Sequence, residues 1–117
     1  GIIWYNTMAT KRTVSATLTN SLVDIYQVPE HKLAEVLLIY VKNTSGSNGS
    51  YTLTYYDNSA TASLNILDAT SIASKEVFKF GGPSNEFLVV ESGDKIQASG
   101  TQSGTIFGTV VEHNTNR

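Results

Sequence analysis

Apolar and polar residues alternate with a period of two along most of the chain, and Gly, Pro, Asn, Asp or Ser interrupts the pattern at short intervals. That spacing predicts β-strands joined by tight turns. Residues 13–18 put Val14, Ala16 and Leu18 on one face, and a strand over 22–28 follows the turn formers Thr19, Asn20 and Ser21. Pro29 lacks an N–H and presets φ, so it ends that strand and opens a reversal through Glu30, His31 and Lys32. Residues 33–43 form the strongest strand, with Leu33, Leu37, Ile39 and Val41 read on one face and Val36, Leu38 and Tyr40 on the other. Further strands are expected over 51–57, 76–80, 87–91, 95–99 and 105–112, separated by turns at Asp57-Asn58-Ser59, Gly81-Gly82-Pro83 and Ser92-Gly93-Asp94. Between 60 and 72, Leu64 and Ile66 favour a short strand, while a helical turn over 67–73 fits nearly as well. Seven to nine short strands predict an all-β fold, an antiparallel β-sandwich or jelly roll. The domain is read as 13–113, with an N-terminal arm over 1–12 and a tail over 114–117.

Two features point outward from this domain. A strand apolar on both faces needs a cover on each, so Val36, Leu38 and Tyr40 are candidate contacts with another chain. Ile2, Ile3, Trp4 and Tyr5 form an apolar, strand-prone stretch that is an association liability unless it docks on a neighbour or a sheet edge. Met8-Ala9-Thr10-Lys11-Arg12 looks like a translation start, which would make residues 1–7 an extension.

Composition narrows the classes. Charged residues make up 15% of the 117, and Ser and Thr together number 27, so the surface is rich in hydroxyls and suited to crowded packing. With net charge −2 and no basic cluster beyond Lys11-Arg12, nucleic-acid binding is not expected. The apolar run at 36–41 is far shorter than the ~20 residues that span a bilayer, so no membrane segment is expected, and no signal peptide is read at the start. There is no cysteine, hence no disulfide.

No catalytic constellation emerges. His31 and His113 lack ligands at metal-binding spacing, and Asp57, Asp68 and Asp94 read as turn carboxylates. Asp94 is expected to bond a backbone N–H of its own turn. No carboxylate pair or nucleophilic serine motif stands out, so no enzyme, metal or cofactor is expected. Tyr51, Tyr55 and Tyr56 could make a platform for sugar rings, but cross-strand packing explains them as well.

The order of landmarks carries more. Thr17-Leu18-Thr19, then Leu22 to Val28 with Tyr26, Pro29 and Lys32, then Val41-Lys42-Asn43-Thr44-Ser45-Gly46, Tyr51 to Tyr55, and Leu88 to Ala98 with Gly93-Asp94-Lys95-Ile96 follow one another along residues 13–112. This order resembles a family of small β-sandwich structural proteins of tailed-bacteriophage virions. His31 departs from the pattern, which has glycine in the Pro-led turn, and residues 1–7 lie outside it. The resemblance implies a non-enzymatic virion protein. Its expected role is a decoration or cement protein outside the head, and the alternatives are a tail, neck or fibre-attachment component or a carbohydrate-binding adhesion module. The implied partners are the major capsid protein or tail proteins and further copies of the chain, in the virion.

Overall fold

The computed structural model describes residues 9–81 and 88–115, whose nine strands form two antiparallel sheets packed into a β-sandwich. The first sheet runs β1 (Ala9–Leu18), β9 (Gly104–Asn114), β3 (Lys32–Asn43), β6 (Val77–Gly81), with β7 (Leu88–Glu91) also pairing with β3. The second runs β2 (Val23–Gln27), β8 (Lys95–Gly100), β4 (Gly49–Asp57), β5 (Ala62–Ile72). One flank of β3 is covered along its length by β9, and the other is divided. There β7 takes Leu33 to Val36 and β6 takes Leu38 to Lys42.

The break between β6 and β7 coincides with a slip in the opposite ladder. Val36 pairs with Val110 and Leu38 with Thr109, leaving Leu37 as an extra residue. A bulge of this kind reverses the alternation beyond it. Ala34 and Val36 therefore share the inner face with Ile39 and Val41, all buried, while Leu33, Leu38 and Tyr40 are only half-buried. This corrects the grouping of Val36 with Leu38 and Tyr40. Val36 is 1% exposed and belongs to the core, so it is not a contact for another chain.

Just past the bulge, β3 and β9 approach closely. A Cβ added at Gly108 would lie 2.3 Å from the Leu38 carbonyl oxygen, so this crossing accepts only hydrogen. Other departures are local. Leu67 and Ile72 are buried points of one strand, β5, rather than of a helical turn, and its ladder with β4 slips twice, with Ala69 at φ 46°. In β2 the slip between Asp24 and Tyr26 lets Ile25 and Tyr26 both pack on the core. β1 starts at Ala9, opposite His113, so residues 9–12 belong to the sheet rather than to an arm, and β9 runs on to Asn114.

The Pro-led turn forms as a reversal, closed by the Lys32 N–H donating to the Pro29 carbonyl at 3.2 Å. His31 stands at φ 63°, the left-handed conformation that explains why glycine is the ordinary occupant of such a turn. Leu18, Ile39, Leu53, Ile96, Ile106 and Val110 meet between the sheets. Each such side chain contributes about 1.5–3 kcal/mol by leaving water.

Candidate functional site

The three candidate platform tyrosines are not brought together. On β4 the alternation places Tyr51 and Tyr55 on the inner side and Tyr56 on the outer. Tyr51 is fully buried, and its hydroxyl donates to the Ser103 carbonyl at 3.0 Å. Its ring rests on three glycines: Cβ atoms added at Gly49, Gly100 and Gly104 would fall 3.0, 2.4 and 2.7 Å from ring carbons. Tyr55 donates its hydroxyl to Asp94 Oδ2 at 2.8 Å. Tyr56 lies beside Lys95, whose ammonium is 5.8 Å from the ring centroid. One ring plugs the core, one completes a turn, and one faces out, so no flat sugar-binding surface results.

The buried polar groups hold the fold. Asp94 is 2% exposed and accepts from the Glu91 N–H in its own turn at 2.8 Å, from the Asn58 N–H at 2.9 Å and from Tyr55. It thereby ties the β7–β8 turn to the β4–β5 turn. Asn43 is also fully buried, donating to the Ser47 and Ile72 carbonyls at 2.8 Å each and accepting from the Ser45 N–H and hydroxyl. It organises the Ser/Gly loop from within. Asp57 caps its turn, accepting from the Ser59 N–H and hydroxyl and from the Ala60 N–H.

A third buried group was missed by sequence reasoning. Glu112 accepts from Arg12 Nε at 2.9 Å and from the Tyr26 hydroxyl at 2.5 Å, joining β9, β1 and β2 at one corner of the sandwich. The alternation Ile106, Gly108, Val110 continues to Glu112, and Leu18, Ala16, Val14 continues back to Arg12, so parity puts both on the inner side, Glu112 buried and Arg12 at the rim with its side chain 57% exposed. What the sequence lacked was the register that pairs them.

Burial first, and the bond to Glu112 second, hold the Tyr26 phenol well above its ordinary value of 10.0. Burial and then the bond to Asp94 do the same for Tyr55. A raised folded value means the native state keeps a proton that the unfolded chain releases. The associated stability is intact below pH 10 and is lost as pH climbs beyond it. The urea midpoint should therefore stay level through neutral pH and fall above about pH 10. Replacing Tyr26 and Tyr55 with Phe should flatten that alkaline decline while costing about 1 kcal/mol per site at pH 7. An undiminished decline in the double variant would rule out these phenols as its source.

Two surfaces of the first sheet stand out. On the outer face of the first sheet, Tyr40 and Phe107 pack with ring centroids 4.9 Å apart, beside Leu38. At the end of that face His113 lies 2.6 Å from Glu35, and His31, in its turn, lies 3.4 Å from Glu30. The second open surface is the edge of β1, which pairs with β9 on one side, while among the described residues no strand pairs with its other side. The proposed contacts Ile2, Ile3, Trp4 and Tyr5 lie outside the described residues.

No protein-family model matches the chain, and no curated protein does. Among solved structures it is similar to one from work describing Bacillus endospore appendages as a novel family of disulfide-linked pili. That match has a TM-score of 0.56 at 18% identity, covering 93% of this chain and 88% of the other. At that identity the likeness is one of fold.

Proposed function

We propose that the chain is a non-enzymatic structural subunit that joins a repeated assembly through its sheet edges, and that the assembly is a tailed-phage particle whose head it decorates. The edge of β1 carries this reading. Its ten residues pair with β9 in unbroken register, from Ala9 with His113 to Leu18 with Gly104. Natural edges are blunted by bulges, prolines or charges. Here the half from Thr13 to Leu18, TVSATL, has none of these. Such an edge accepts a strand from a neighbour through backbone hydrogen bonds. The similar fold of a pilus protein is in keeping with a subunit that polymerises, although these 117 residues contain no cysteine for the disulfide linkage named there. Joining would rest on non-covalent contacts, which repetition across a particle turns into firm attachment. The order of sequence landmarks supports the phage particle over a filament.

Immunogold labelling of intact particles, with serum raised against this domain, tests the reading. Gold on heads supports the decoration role, and gold on tails moves the protein to a tail or neck position. Bare particles, with serum that binds the free protein, would refute a virion role.

A further inference from the structure

The outer face of the first sheet has an apolar middle and charged ends. Its central row crosses the sheet through Thr13, Thr109 and Leu38. The next row on one side holds Phe107 and Tyr40, and the next on the other holds Val111 and Val89 around Glu35. Lys79 beside Tyr40 and Lys42 one row further on make one end basic; at the other, Glu35, with His113 2.6 Å away, and Glu91 in the next row are acidic. These charges lie on the half of the sheet formed by β3, β6 and β7, while Lys11 of β1, opposite Val111, is a further cation on the other half. Val77 and Val89, facing outward at opposite ends, are 47% and 45% exposed.

We propose that this face binds the same face of a second copy, strands antiparallel, about a two-fold axis that crosses β3 near Leu38. The charges choose the occupant and its orientation. A two-fold axis across the strands exchanges the ends, bringing Lys42 and Lys79 of each copy next to Glu35 and Glu91 of the other. An axis along the strands would put like charges together. The same operation carries the Tyr40–Phe107 ridge of each copy over the row containing Val111, next to the shallow hollow lined by Lys11, Leu37, Leu38 and Thr109. Four strand positions at about 4.8 Å and five rows of paired residues give a footprint whose burial approaches roughly 1,200 Å² for the two copies, the low end for a specific interface. The contact is isologous and closes at two. It leaves the β1 edge free, so it adds to edge pairing and stands whether or not the particle is a phage.

Sedimentation equilibrium of the full chain, from low micromolar to near-millimolar concentration, tests this. The expected result is a monomer–dimer equilibrium that Leu38→Lys weakens roughly 100-fold, with the circular dichroism spectrum unchanged. Reversing the basic end in one protein (Lys42→Glu with Lys79→Glu) and the acidic end in another (Glu91→Lys) should weaken each homodimer. Mixed, the two should pair with each other in preference to themselves, a result that decides the matter even if Leu38→Lys fails to fold. A monomer at every concentration overturns the proposal. So does a dimer that survives Leu38→Lys but is lost on deleting residues 1–7, which would assign the contact to the arm. Equal self-pairing and cross-pairing of the charge-reversed proteins overturns it as well.

Discussion

Gly108→Ala should destabilise the protein by about 3 kcal/mol or more, because the added methyl has nowhere to go. Its Cβ would sit 2.3 Å from the Leu38 carbonyl oxygen and 3.3 Å from the Ile39 Cα, and both are backbone atoms of the neighbouring strand. A side chain can rotate away from such a clash. A strand fixed on one flank by β9 and on the other by β6 and β7 has to move as a unit. In a domain of this size a loss of that order lowers the melting temperature by roughly 10–20 °C. A variant melting within a degree or two of the parent would mean that β3 and β9 do not approach so closely. In that case the bulge at Leu37 would be open to doubt as well.

Gly100→Ala should cost a similar amount for a different reason, and a partner substitution should reveal it. The new methyl would meet the Tyr51 ring at 2.4 Å, and that ring is held by the sandwich around it and by its bond to Ser103. Tyr51→Ala alone should cost about 4 kcal/mol, the usual range for emptying a buried aromatic site. With the ring gone, the methyl at position 100 enters the space it leaves. The double variant should then be more stable than the sum of the single losses predicts, by about 2 kcal/mol in a urea-denaturation cycle. Strict additivity would show that Gly100 is needed for something other than Tyr51, such as the Gln102 carbonyl at 3.2 Å.

These two sites also mark what could be read from the chain. Strands and turns were legible because alternation and turn residues are local signals, and β4 and β9 kept the alternation visible in their residues. The phase of β3 was not legible. Val36, Leu37, Leu38 and Ile39 are all apolar, so a bulge among them leaves no trace in polarity, and Val36 was assigned to the wrong side. The helical alternative around Leu67 failed because β5 is held by its ladder to β4 across its irregular points. Tyr51 read as a packed ring sooner than a surface one, but its seat was not legible, since the three glycines that form it are brought together only by the register of β4, β8 and β9. Arg12 and Glu112 could have been placed inward by counting residues, but their meeting needed the pairing of β1 with β9. The pattern was silent about the open edge of β1, because no residue type declares which strand lies last in a sheet.

The pairing of β1 with β9 also sets when the protein can fold. Of the described strands the first to be made is matched to the last, so the first sheet cannot close until β9 has been synthesised. At ~5–20 residues per second the nascent chain carries β1 without its partner for several seconds or more, and folding of such a non-local sandwich takes on the order of milliseconds to seconds afterwards. Through that interval the hydroxyl-rich sequence of β1, with Lys11 and Arg12 at its start, limits premature association. A strand whose outer edge is left unpaired in the folded domain must also be one that tolerates solitude while the chain is being made.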